Sequence, residues 1–366
     1  MKTRTLIVMM VAAVLAIAAA AWVSSSRNVN TAAPQLDVLA PGLSDALGEV
    51  NQVRIVAAGN AVLATMQRGE DGAWTLQEKN GYPVDLEPLR ELLANIAAAR
   101  QMEAKTALPD RHAQLGVEDV SAEDARGVQV DIQALNQTWS FVFGDNPVRG
   151  TGTYVRETGK PQSWLVDKAI AVERKPANWL AKRIIDVGAN RVQAVSIEPV
   201  EGPAFGIHRQ EGDTTSDFAL DALPRGREAG EGYQREALAG VLSGLNFEDV
   251  FTLTDKPVPE KTRISQFELE DGRQLRIASW QDEGRTLVHL SMSLDAERAQ
   301  AWQARPLAQA ETDADADATT AAKTTIDPAA QVAEFEREHA VWVYVLPAFK
   351  ATNLGKSLED YLKPKP

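Results

Sequence analysis

The chain has 366 residues, 44% hydrophobic and 24% charged, an ordinary globular balance with room for two domains that each bury a core. Its net charge of -13 excludes nucleic acid as a partner, since binding a phosphate backbone runs on clustered Lys and Arg, and makes a diffuse attraction to anionic lipid equally unsuitable. With no cysteine, disulfides, thiolate nucleophiles, iron–sulfur ligation and a lipidated N-terminal Cys are excluded together.

Residues 5–26 carry no charge, and 6–23 form an unbroken apolar run. As a helix rising 1.5 Å per residue that run covers about 27 Å, close to the roughly 30 Å hydrocarbon core of a bilayer. Lys2 and Arg4 precede it. The positive-inside rule therefore holds residues 1–5 in the cytoplasm and sends everything after Ser24 across the inner membrane, with Trp22 in the interfacial aromatic belt. A cleaved signal peptide competes, because Ala18, Ala19, Ala20 and Ala21 offer small-residue cleavage sites. The run exceeds the usual apolar region of about 7–15 residues, which predicts a retained single-pass anchor. Both readings put the bulk of the chain outside the cytoplasm.

Residues 24–45 mix polar, Ala and Pro positions without periodicity and read as a tether. Beyond it the chain repeats itself. The stretch 51–56, NQVRIV, matches 190–195, NRVQAV, and each precedes a second apolar stretch, at 61–66 and 204–208. A strand-like WTL at 74–76 answers FAL at 218–220. A helix follows in each copy. In the first, Leu86, Leu89, Leu93 and Ile96 share a helical face behind Asp85 as N-cap. In the second, Leu238, Val241, Leu242 and Leu245 do so. Both copies then turn to strand periodicity, at 128–132 and 139–143 and at 264–269, 275–278 and 286–290. Each closes on an aromatic strand and a short helical tail: Trp164 with Asn178 to Leu180, and Trp342 with Asn353 and Leu354. The second copy is longer, a difference that an acidic insert at 311–330 and a helical stretch near 294–302 absorb.

These elements predict an α+β protein of two tandem similar lobes, 46–188 and 189–366, each of mostly antiparallel sheet with packed helices. Short turns such as GEDG at 69–72 and EDGR at 270–273 join most strands, which argues against a parallel doubly wound sheet. The insert, ETDADADATTAAKTTIDPAA, cannot pack a core and is expected to be disordered. Its Asp313, Asp315 and Asp317 alternate as in a calcium loop, but the turn Gly and the terminal bidentate Glu are missing.

No motif establishes a catalytic, cofactor or metal site. Gly355, Lys356 and Ser357 follow an apolar strand as a phosphate loop would, yet the Gly required five positions earlier is Lys350. His112, His208, His289 and His339 stand too far apart for a local metal-ligand pair. Neither a nucleophile elbow nor the serine–lysine signature of penicillin-binding enzymes appears with its partners. The 51 acids are read as solvated faces, since a glycosidase-like pair cannot be recognised without geometry. A local basic excess (Lys168, Arg174, Lys175, Lys182, Arg183, Arg191) is read as solvating the tail of the first lobe, with an anionic partner as the alternative. Trp164 and Trp342, equivalent in the two copies, are expected to anchor the two cores.

The order of the N-terminal anchor, WTL at 74–76, PVD at 83–85, LGV at 115–117, FGD at 143–145, TYV at 153–155 and WLV at 164–166 resembles the bacterial domain-of-unknown-function 4340 family. The resemblance covers about 45–190 well and the second copy more loosely, and the acidic insert departs from the pattern. Its motifs are packing and turn signatures, so it carries no catalytic residue to this chain. It implies a companion of ABC-2-type permeases and of the auxiliary component of gliding-type ABC transporters. The leading expectation is thus a non-enzymatic, membrane-anchored periplasmic accessory subunit offering binding or scaffolding surface. An envelope structural or interaction protein without a transporter is the alternative, and an envelope hydrolase with a non-standard carboxylate site a more remote one.

Overall fold

The computed structural model describes residues 36–210, 218–221, 223–305 and 327–364. The expected anchor at 6–23, most of the tether and positions 311–326 of the insert lie outside the described residues. Among the described residues no helix is long and apolar enough to cross a membrane.

The protein is α+β, with mostly antiparallel sheet and several helices. The first half of the chain supplies β1 (Val50–Ala57), β2 (Ala61–Arg68), β3 (Trp74–Leu76), β4 (Tyr82–Pro83), helix α1 (Leu86–Ala98), β5 (Gln101–Ala104), β6 (Val128–Ala134), β7 (Gln137–Phe143), β8 (Thr153–Glu157) and β9 (Ser163–Val166). After a short β10 (Arg183–Ile185) come β11 (Val192–Glu198), β12 (Phe205–Arg209), β13 (Phe218–Leu220), α2 (Gly232–Ala239) and β14 (Leu245–Asn246), which pairs with β10. Then follow β15 (Asp249–Thr252), β16 (Arg263–Leu269), β17 (Arg273–Asp282), β18 (Arg285–Leu294), α3 (Ala296–Gln303), α4 (Pro328–His339), β19 (Trp342–Val345) and α5 (Ala348–Gly355).

Strands of the first half run as β4-β3-β2-β1 and as β6-β7-β8-β9-β5. Those of the second run as β13-β12-β11-β16-β17-β18-β19-β15. Setting β4 aside, each run of the first half has a counterpart in the second, strand for strand. In both halves a short strand between the helix and the long hairpin, β5 directly after α1 and β15 after the intervening β14, lies at the far edge beside the last strand, β9 or β19.

By compactness the chain divides into two units. One takes Met1–Glu49, Ala57–Ala61 and Glu91–Val172. Its strands alternate as a half-buried sheet should: Val128, Val130, Ile132 and Ala134 of β6 are buried while Gln129 and Asp131 are half-buried and Gln133 is exposed. Close backbone approaches explain several of its glycines. The carbonyls of the turn at Leu115 and Gly116 lie so near that a Cβ on Gly144 would stand 2.2 Å from the Leu115 oxygen, and one on Gly127 2.3 Å from the Gly116 oxygen. Trp139 and Arg156 are buried, each with its polar tip on a backbone carbonyl: the indole N–H donates to Pro41 and Nε of Arg156 to Val117. Burial also lowers the Arg156 pKa.

The β6–β7 hairpin turns through Leu135, which is 72% exposed and holds φ at +53°. A left-handed backbone costs an ordinary L-residue roughly 1–2 kcal/mol, and Asn far less. Leu135→Asn is therefore expected to raise stability by about 0.5–1 kcal/mol, read from the denaturant midpoint at unchanged slope.

The other unit takes Val50–Val56, Val62–Arg90 and Glu173–Pro366. Buried Val195, Ile197, Phe267, Leu275, Ile277 and Leu290 fill its sheet face. Asp295 caps α3 through the N–H groups of Glu297 and Arg298, and Asp327 caps α4, with Pro328 at the first helical position. Gly272, with φ +85°, lets the 270–273 turn press onto α3, where a Cβ would stand 2.6 Å from the Ala299 nitrogen. Asp271, buried at that turn, binds Arg191 and Arg273.

Two elements differ from their periodicity. The helix expected through Leu245 stops at Ala239, continues as a 3-10 turn over Gly240–Leu242, and Leu245 enters β14. Gly240 and Gly244 are poor helix formers, and Gly244 adopts φ +52°, so the apolar spacing is met by burying Val241 and Leu242 from the tighter turn. Similarly, the tail expected around Trp179 is a 3-10 turn, Pro176–Trp179. Of the expected insert, Pro328, Ala329 and Ala330 are helical, as the opening turn of α4.

Candidate functional site

The phosphate-loop candidate singled out by sequence is tied into the fold. Gly355 ends α5, and Ser357 opens the next turn through a capping box: its N–H and hydroxyl both donate to the Asp360 carboxylate at 2.8 Å. Lys350, in the place where a phosphate loop would carry Gly, is buried instead. Its ammonium donates to the Val241 carbonyl at 2.9 Å and that of Ser243 at 2.6 Å, capping the 3-10 turn, and desolvation lowers its pKa.

The four histidines are scattered. Nε2 of His112 shares a hydrogen bond with the Pro161 carbonyl, and Nδ1 of His289 one with that of Trp342. His208 contacts the Asp221 carboxylate and His339 the Tyr344 hydroxyl. Among the described residues no three His, Asp or Glu side chains converge as metal ligands would. Asp313, Asp315 and Asp317 lie outside the described residues. The basic tract is dispersed over several elements: Lys182 binds Asn178, Arg183 sits in β10, and Arg191 binds Glu270 and Asp271. Trp164 and Trp342 hold equivalent strands, but both are half-buried, and their neighbours Val166, Val343 and Tyr344 occupy the core.

The largest shifts in acidity belong to a buried group in the second unit. Tyr82 packs edge-on against Phe247 and Trp342, with ring centroids 5.3 and 5.0 Å away. Its hydroxyl hydrogen-bonds Tyr344, which shares a 2.7 Å bond with Nδ1 of His339. Desolvation pushes Tyr82 up to about 12, drives Tyr344 further in the same direction, and lowers His339 to about 4. None of the three is more than 7% exposed, so no substrate reaches them. The network is a satisfied polar seam in an aromatic core, and its chemistry is that of stability.

The open concavity lies beside α5 in the same unit. Three adjoining cavities, of about 510, 410 and 440 Å³, share residues and form one groove. The first cavity meets the second at Thr286, Ala351 and Gly355, and the second meets the third at Val200 and Arg263. Arg263 opens β16 and stands in the walls of both the second and third cavities. Its Nη2 donates to the Lys356 carbonyl and its guanidinium lies 6.0 Å from the Phe205 ring centroid. Its Nε is buried without a hydrogen-bond partner, and desolvation lowers its pKa.

Sequence reasoning missed both features. The polar seam joins residues more than half the chain apart, and the groove is lined from the 199–203 turn, the segment 259–263, the β17–β18 hairpin and α5. The one local sign was Arg263 at the first position of an otherwise alternating strand, a pattern too common to single out.

Comparison with known proteins gives one positive result. No curated protein and no solved structure matches the chain. The model of a family described as a domain of unknown function, DUF4340, matches residues 74–266, more than half of the chain. The matched stretch includes Gly127 and Gly144, whose lack of a side chain permits the close approaches described above. On that match, the chain belongs to the DUF4340 family.

Proposed function

We propose that this protein is a non-enzymatic, single-pass accessory subunit of an ABC-type transport system, with residues 1–5 in the cytoplasm and its bulk in the periplasm. The carrying observation is the family match over 74–266, joined to the resemblance that makes such proteins companions of ABC-2-type permeases and gliding-type auxiliary components. Support for the anchor comes from the uncharged stretch 5–26 behind Lys2 and Arg4. We read the shared strand succession of the two halves as an internal duplication, so that tandem similar lobes offer related surfaces to a permease and its auxiliary component. The permease and ATPase would carry out transport, and this chain would bind or scaffold on the outer side.

Topology and partnership are tested separately. Alkaline phosphatase fused after residue 366 is expected to be active in intact cells, and a cytosol-dependent fluorescent reporter at the same place dark. The opposite pair of results overturns the anchor. Extraction of the tagged full chain in mild detergent is expected to bring down a permease and an ATPase. If neither comes with it while the topology stands, the chain is an envelope interaction protein without a transporter.

A further inference from the structure

We infer that the groove beside α5 binds a small organic anion, a carboxylate or phosphate monoester with an apolar body, its charged head seated at Arg263. The inference goes beyond the transporter reading and does not rest on it. It starts from a donor left open. Arg263 makes one hydrogen bond within the groove region, to the Lys356 carbonyl, and its Nε is buried without an acceptor. Among the described residues no carboxylate is in ion-pair contact with it. Asp360, the carboxylate whose field reaches it, is already occupied by the N–H and hydroxyl of Ser357. Nε has no exposed surface and stays unpaired, but Nη1 makes no hydrogen bond among the described residues, and an oxyanion accepting there would offset the desolvation of the guanidinium.

The surroundings favour the same ligand. Lys261 stands in the wall of the cavity of about 410 Å³ that Arg263 also lines, a second cation on one groove in a protein of net charge -13. Glu359, across the neighbouring cavity, is engaged by both Nη1 contacts of Arg227, which blunts its repulsion of an arriving anion. Beyond the cationic end the wall is apolar: Val200, Pro259, Trp280 and Leu354. A bare inorganic ion would leave that wall wet. An anion carrying an aryl or short alkyl group covers it, with the half-buried Trp280 as the aromatic surface.

The test uses the full chain in neutral detergent and four water-soluble probes: 3-phenylpropanoate, phenyl phosphate, the neutral 3-phenylpropanol, and inorganic phosphate. Calorimetry or ligand-observed NMR is expected to show saturable binding of at least one aryl anion, at least tenfold tighter than the alcohol or inorganic phosphate. Which aryl anion prevails identifies the head group as carboxylate or phosphate. Arg263→Gln is expected to weaken that binding at least tenfold. Ala351→Trp, which fills the groove where two cavities meet and leaves Arg263 intact, is expected to abolish it at an unchanged unfolding midpoint. The second variant decides the matter if the first fails to fold. Absence of saturable binding by both aryl anions, equal binding of the alcohol, or undiminished binding in folded Ala351→Trp overturns the inference.

Discussion

Replacing Gly144 with Ala is expected to lower the stability of the protein by about 3 kcal/mol or more. The added Cβ would stand 2.2 Å from the Leu115 carbonyl oxygen, 2.7 Å from that of Gly116 and 2.7 Å from Cγ1 of Val117. Two of these obstacles are backbone; the Leu115 oxygen is held by the Asp145 N–H at 2.9 Å, and Gly144 is itself held by its N–H donating to Tyr154 at 2.8 Å. No rotamer change relieves a clash with main chain, so the turn must leave the strand and surrender those bonds. Gly150→Ala, whose Cβ would meet nothing within 4 Å, separates a steric cost from a general cost of losing glycine, although its φ of +88° gives it a smaller penalty of its own. Denaturant unfolding of both variants checks the ranking. Equal midpoints for native and Gly144→Ala would sink the close-approach explanation.

The second large effect is expected on acidification. His339 is neutral in the fold because its burial disfavours the imidazolium, lowering it from 6.5 to about 4. Above pH 6.5 neither the folded nor the unfolded chain protonates this ring, and its contribution is complete. Between pH 6.5 and about 4 the unfolded chain takes up a proton that the folded one refuses, so stability falls as the pH drops. By pH 4.5 the loss attributable to this ring reaches about 2–3 kcal/mol. His339→Gln keeps a polar group within reach of the Tyr344 hydroxyl and removes the titration. The difference in stability between pH 7.5 and 4.5 should therefore be smaller in the variant by that amount, with the carboxylates common to both proteins cancelling. Parallel pH profiles for the two would show that the ring is not sealed from solvent.

Much of the secondary structure could be read from the sequence, for reasons specific to each element. Asp85 followed by Leu86, Leu89, Leu93 and Ile96 announces α1, and the structure buries the last three, leaves Leu86 half-buried in the first turn, and sets the Asp85 carboxylate on the Glu87 N–H. Val128, Val130 and Ile132 announce β6 by alternation, and the repeat of NQVRIV as NRVQAV announces β1 and β11 as matching strands. Pairing order was not legible. Nothing in QMEA or DVFT says that β5 and β15 skip past three strands to reach an edge, because edge position is decided by which partner remains once the other strands have paired. Trp342 shows a similar limit. Its size marked it for the core, yet the strand's register turns Val343 and Val345 onto the packed cluster with Leu287 and leaves the indole half-buried against Tyr82.

The groove was illegible for a further reason. Its floor and walls are assembled from turns and strand ends, where side-chain identity carries no periodic signal. A single guanidinium draws attention only when the partners of its donors are known. Family motifs give no help here, since the glycines at 116, 127 and 144 report how backbones fit together and nothing about a ligand.

The edge position of β5 and β15 has a consequence for biogenesis. Residues 101–104 find their partner only when 163–166 have been made, and 249–252 must wait for 342–345, nearly a hundred residues later. A growing chain halted just before Trp342 would leave two strands, β15 and the β18 margin beside it, with bare amide edges and no neighbour to cover them. Ribosome-released fragments ending near residue 340 should on that account aggregate or be degraded, whereas completion of four more residues closes the second half at once.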